Sequence, residues 1–202
     1  MNALLTDWTG PFGLPPFDAI TDGDFGPAFA AALAEARANV AAIAASAEVP
    51  TFANVIEALE LAEEALSRVG GVFYNVAGAD STPAREDLER DLAPKMSAFG
   101  SEVTNNKALF QRIEAVWAGR EGLAGEQLRV LTLYRRMFVR AGALLEGDAA
   151  ARLTAVKSPS VIASNGGNPN GPVQSVKSAF MPIPLLVRLH LQPPFKPPQD
   201  QA

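Results

Sequence analysis

The sequence predicts an all-α fold: helical hairpins assembled into an antiparallel bundle, with an irregular proline-rich tail behind them. Three observations carry this prediction. Through residues 1–152 apolar side chains recur at spacings of three and four, the repeat of an amphipathic helix, and nothing alternates with period two. Thr, Pro and Gly interrupt that repeat where helices should start and stop. Nine of the 16 prolines then fall in residues 154–202, where a fixed φ and missing backbone donors exclude long helices and central strands.

Taken in order, Pro11-Phe-Gly-Leu-Pro-Pro-Phe17 predicts an extended lead-in held down by its aromatics rather than by hydrogen bonds. A first helix is expected from about Pro27, a favourable early-turn position for proline, with the stripe Phe29, Leu33, Ala36, Val40 and Ile43. Pro50 closes the connection, and Thr51 is a natural N-cap for a second helix. That helix carries Val55, Ile56, Leu59, Leu66 and Val69, is loosened at Gly70-Gly71, and continues through Val72, Phe73 and Val76. Thr82 caps a third helix with Pro83 at its first position, running through Leu88, Leu92, Met96, Phe99 and Val103 with a kink at Pro94. Leu109, Phe110, Ile113, Val116 and Trp117 make a fourth, ending near Gly119. A fifth, from about Glu126, bears Leu128, Leu131, Tyr134, Phe138, Ala141 and Leu145, and a sixth begins at Asp148 and is cut short by Pro159. The expected organisation is one helical region over 1–153 and a Pro/Gly/Ser-rich, disordered tail over 154–202.

Composition narrows the chemistry. The chain of 202 residues has no cysteine and one histidine, His190. Disulfides, thiolate zinc sites, iron–sulfur clusters and Cys nucleophiles are therefore excluded, and so is a zinc site needing two histidines from this chain. Residues 1–152 hold 13 basic and 21 acidic side chains, whereas the last 50 hold four basic and one acidic. An acidic body repels a phosphate backbone, so no nucleic-acid partner is expected. The N-terminus lacks the positive and apolar regions of a secretory signal, and no stretch approaches 18 uninterrupted apolar residues. No membrane partner and a cytoplasmic location are the expectation.

Individual residues invite sharper readings, and each has a plainer one. His190 has no second His or Cys to share a metal, and reads as a solvated tail residue. Gly166-Gly167 and Gly171 lack the Lys-Ser/Thr of a phosphate loop and read as turns. Glu57, Glu60, Glu63 and Glu64 have the spacing of an exposed helix face. Phe73 reads as core beside Tyr74 and Asn75, and Arg135, Arg136 and Arg140 as helix-surface ion pairs.

Several longer strings occur in a fixed order: Leu14-Pro-Pro-Phe-Asp18, Phe25, Pro27-Ala-Phe29, Pro50-Thr-Phe-Ala-Asn-Val-Ile-Glu-Ala-Leu-Glu60, Val72-Phe-Tyr-Asn75, Asn106-Lys-Ala-Leu-Phe110 and Phe138-Val-Arg-Ala-Gly-Ala-Leu144. Together, over about Asn2 to Thr154, they resemble the N-terminal helical region of the zinc metallopeptidase family of peptidyl-dipeptidase Dcp, oligopeptidase A and thimet oligopeptidase. The bacterial peptidyl-dipeptidase branch is the nearest resemblance. The resemblance implies a nearly all-helical hydrolase several times longer, with an internal channel admitting short peptides. Its one zinc ion would sit on a C-terminal His-Glu-x-x-His helix with a later Glu, polarising the scissile carbonyl and activating water.

None of that motif occurs here. The expectation is thus no catalytic and no metal-binding residue in this chain, no cofactor of its own, and substrate-binding residues unknown. Leu153-Thr-Ala-Val-Lys157 resembles the start of a family helix that should continue, but at Ser158-Pro159 the sequence turns Pro/Ser/Asn/Gly-rich and the charge sign switches, as expected of a truncated or frameshifted reading frame with an inactive, marginal and association-prone product. Two other readings stand beside this one: complementation by a separately encoded C-terminal peptidase half, and a stand-alone helical module that binds a protein or peptide without chemistry.

Overall fold

The computed structural model describes residues 2–149 together with Arg152 and Leu153. The tail expected over 154–202, with Gly166, Gly167, Gly171 and His190, lies outside the described residues. Among the described residues all regular structure is helical, in agreement with the predicted class. Three short 3-10 turns, Ala3–Leu5, Pro11–Gly13 and Phe17–Ala19, lead into six helices: α1 (Asp22–Ala45), α2 (Ala58–Ala62), α3 (Glu64–Ala79), α4 (Pro83–Thr104), α5 (Lys107–Ala118) and α6 (Gly125–Arg140). A π-helical turn, Phe52–Glu57, runs directly into α2.

Helix α1 is the hub, packing on α2, α3, α4, α5 and the N-terminal turn. It starts five residues before Pro27 because Thr21 and Asp24 cap it: the Asp24 carboxylate accepts from the Thr21 backbone N–H at 2.8 Å and from its hydroxyl at 2.6 Å. Those hydrogen bonds also hold the Asp24 carboxyl below its ordinary pKa. Pro27 is tolerated inside the helix since Gly23, whose carbonyl loses its i+4 donor, is exposed to water. By length and composition α1 could cross a membrane. Here its apolarity is used in packing, with Phe25, Ala28, Phe29, Ala32, Leu33, Ala36 and Val40 in the core.

The expected second helix is really three segments. The break falls at Glu63, with φ −109° and ψ 19°, and not at Gly70-Gly71. Helix α3 passes unbroken through both glycines, Gly70 buried beside Val69 and Phe73, and Gly71 exposed. Burial of the flanking apolar face offsets the conformational cost of glycine. Thr82 caps α4 through the Arg85 N–H, and Asn106 caps α5 through the Leu109 N–H. Helix α4 continues past Pro94, which is exposed, as is Arg90 one turn earlier.

Helix α6 ends at Arg140, before Ala141 and Leu145 could join its stripe. Gly142, at φ +99°, turns the chain: its N–H donates to Val139 O, and that of Ala143 to Phe138 O, each at 3.0 Å. The left-handed backbone favours glycine there, and a Cβ would also press on the tip of the Leu153 side chain. The lead-in also differs from expectation. Leu4 is fully buried, Asn2 Nδ2 donates to Asp24 O at 2.7 Å, and Trp8 Nε1 donates to Ala3 O at 2.9 Å, while Phe12 and Phe17 point to solvent. Its anchors are hydrogen bonds and Leu4, because Pro11, Pro15 and Pro16 keep the intervening chain off the core.

Candidate functional site

Polar side chains converge where the π-helical turn and α2 meet α5 and α6. The turn begins with a reciprocal cap: Thr51 N donates to Asn54 Oδ1 at 2.8 Å, and Asn54 N donates to Thr51 Oγ1 at 3.1 Å. Asn54 Nδ2 also donates to Val49 O at 3.0 Å. Arg112 of α5, only 7% exposed, closes over this connection. Its Nη1 donates to Ser46 O at 2.7 Å and Glu48 O at 2.9 Å, and its Nη2 to Asn54 Oδ1 at 3.3 Å. A buried guanidinium thus serves carbonyls that end α1 and would otherwise lack donors.

One turn on, Glu60 is buried and accepts from the Tyr134 hydroxyl of α6 at 2.5 Å. This overturns the exposed-face reading for half of the acidic run: Glu57 and Glu64 are exposed, but Glu60 is in the core and Glu63 half-buried. The reason is legible in the spacing, since Ile56, Leu59, Glu60 and Glu63 share one face and Ile56 and Leu59 bury it. Burial, then the charge of Glu60, pushes the Glu63 carboxyl up to about 7. Burial and then Glu60 likewise raise the Tyr134 hydroxyl well above its ordinary range.

Beside this pair, Arg135 of α6 binds Glu114 of α5 at 2.6 Å. Arg135 and Arg120 lie against the Trp117 ring, 5.0 and 4.4 Å from its centre. The surface ion-pair reading therefore holds for Arg135. Arg136 and Arg140 are exposed, and no acid pairs with either among the described residues. Phe73 is fully buried, edge-on to Phe25 at 5.2 Å and Phe29 at 5.6 Å. Tyr74 is half-buried and Asn75 exposed, its Nδ2 donating to Gly71 O at 2.7 Å.

This seam can hold protons and lock helices; it contains no nucleophile paired with a base. Two surface grooves, of about 340 Å³ between the starts of α1 and α4 and about 270 Å³ where α4, α5 and the end of α6 meet, include none of Glu60, Glu63 and Tyr134. The zinc implied by the resemblance does not fit the residues present. Among the described residues no three His, Cys, Asp or Glu side chains come together to hold a metal, and the seam offers carboxylates and a phenol without imidazole.

No protein-family profile matches the chain. Individual relatives do. It is 35% identical over 147 residues, 72% of its length, to dipeptidyl carboxypeptidase of Escherichia coli (strain K12). It is 34% identical over 161 residues to the dipeptidyl carboxypeptidase of Salmonella typhimurium, and 28% identical over 109 residues to that organism's oligopeptidase A. The chain belongs to this peptidase family, as an N-terminal region of it. It spans 22% and 24% of the lengths of the two dipeptidyl carboxypeptidases and 15% of the oligopeptidase. Within the family region, two features escaped the sequence reading: Arg112, hidden as one more helix cation, and the Glu60–Tyr134 bond. A tyrosine in an apolar stripe requires a buried acceptor for its hydroxyl, and that requirement was the available signal.

Proposed function

We propose that this chain is the N-terminal helical region of a zinc-dependent peptidyl-dipeptidase or oligopeptidase that in intact form hydrolyses short peptides in the cytoplasm. On this reading it carries no catalytic residue and is inactive alone, because the zinc-binding helix belongs to a C-terminal peptidase half that is its partner. Neither nucleic acid nor a membrane takes part. The observation that carries the reading is 35% identity to a dipeptidyl carboxypeptidase across 72% of a chain with no His-Glu-x-x-His. The rigid construction of the Val49–Asn54 connection, with a buried arginine on its carbonyls, suits a scaffold that shapes a peptide channel.

The test is a peptidase assay on the purified chain with added zinc, then on the chain co-expressed with the C-terminal portion of a dipeptidyl carboxypeptidase. Expected is no cleavage by either piece alone, with co-purification and cleavage of a short peptide by the pair. Zinc-dependent cleavage by the chain alone, or a failure of the two pieces to associate, would overturn the proposal.

A further inference from the structure

Helices α2 and α3 are separated by the single residue Glu63, whose φ of −109° and ψ of 19° interrupt the helix. Its N–H donates to Leu61 O, two residues back, where an α-helix would reach four back. Helix breaks usually follow Pro, Gly or a π-bulge. Neither Pro nor Gly lies within six residues of Glu63 on either side, and the π-helical turn has already ended at Glu57. What does stand at the break is the second of two carboxylates on one buried face.

The pieces on either side are anchored to different neighbours. Glu60 ties α2 to α6 through the Tyr134 hydroxyl at 2.5 Å. Phe73 packs α3 on α1 between Phe25 and Phe29. At the break itself Asn39 of α1 reaches in, its Nδ2 donating to Ala62 O at 3.1 Å.

No cation answers the two acids. The half-buried Glu63 carboxyl makes no hydrogen bond or ion pair among the described residues, and Glu60 adds a like charge one turn before it. From α6 it is faced by Tyr134, whose hydroxyl feels the charge of both glutamates. From α1 it meets the neutral Asn39; Glu35 and Arg37 of that helix are exposed, and Arg37 is paired with Glu102. Arg135 of α6 is held by Glu114, and Arg68 of α3 lies beside Asp7 and Trp8. Two carboxylates so placed cannot both ionise and stay where they are.

We propose that the Glu63 break is a pH-sensitive hinge: protonated, Glu63 lets α2 and α3 stay seated, and on losing its proton to solvent it swings into water, bends the chain at the break and draws α2 off Tyr134. The closed junction holds the carboxyl at about 7, and water returns it to the ordinary 4.5. The open form therefore releases the proton more readily. Its ratio to the closed form rises about tenfold per pH unit between 4.5 and 7 and is level above. The hinge does not depend on the peptidase reading.

The experiment is pulsed electron–electron distance measurement on the full chain, with nitroxides on Ala53→Cys and Gly78→Cys, exposed positions on either side of the break. The chain has no cysteine of its own, so the labels attach only there. Expected is one distance at pH 4.5 and a second that grows in by pH 8, the open-to-closed ratio having risen about a hundredfold. Helicity by circular dichroism should not change. Glu63→Gln keeps the shape and cannot ionise, so it should show the pH 4.5 distance at both pH values.

An identical distance at both pH values with Glu63 intact would overturn the proposal. So would a pH-dependent distance that persists in Glu63→Gln, which would place the titrating group elsewhere. Loss of helicity in step with the distance would overturn it too, since the change would then be an unfolding.

Discussion

Where α1 meets α3, the contact is apolar: Phe25, Phe29 and Phe73 interlock edge to face, none more than 1% exposed. Where the π-helical turn and α2 meet α5 and α6, Arg112, Glu60 and Tyr134 are buried among the side chains that hold the helices together. The first junction gains stability in proportion to area and volume, so loss is graded and indifferent to pH. In the second, removing one partner strands another, and the outcome depends on protonation.

The largest expected effect belongs to the apolar junction. Phe73→Ala should cost about 3–5 kcal/mol in urea unfolding and Phe73→Leu clearly less, a ratio that a polar contact would not show.

At the polar junction, Glu63 supplies a pH test. Its carboxyl has a folded pKa of about 7 against an ordinary 4.5, so the native state keeps a proton that the unfolded chain releases. This contribution to stability is present below pH 4.5, falls as pH rises towards 7, and is level above. Glu63→Gln should therefore be close to neutral at pH 4 and stabilising by up to ~3 kcal/mol at pH 8, read as the difference between two melting series. A gain independent of pH would remove Glu63 from this role.

Arg112→Met should cost about 2–3 kcal/mol, because Ser46 O and Glu48 O lose their guanidinium donor together, while Asn54 Oδ1 keeps the Thr51 N–H. Faster hydrogen exchange confined to the connection from Ser46 to Asn54 would localise the loss. The smallest effect should be a gain: Gly71→Ala adds a methyl where nothing lies within 4 Å and raises stability by up to about 1 kcal/mol.

The two junctions also differ in how far the sequence revealed them. Local chemistry was legible: Thr51, Thr82 with Pro83, and Gly119 mark helix ends by rules that operate within four residues, and all three stand where expected. Phe73 in the core followed from hydrophobicity alone. The start of α1 was missed because Pro27 is a strong signal and Gly23 inside the Thr21–Asp24 cap, with Gly26 just after it, dilutes the helical pattern. Glu60 was read as wet because charge suggests solvent, yet its partner Tyr134 is 74 positions away. Arg112 serves carbonyls 64 and 66 positions away. Partners at such separation leave no periodic trace.

The N-terminal lead-in behaves as a strap stitched down at both ends. Leu4 and the Asn2–Asp24 bond fasten one end, and the Thr21 cap fastens the other. Between them Phe12 is 97% exposed and sits at φ 62°, a conformation unusual for a bulky residue. Among the described residues a chymotrypsin-like protease should find that aromatic first, yet a cut there severs no contact to the body. The nicked molecule would keep its N-terminal peptide as a bound ligand, with Leu4 as the plug, and that peptide could be exchanged for a labelled one, turning a covalent segment into a measurable equilibrium.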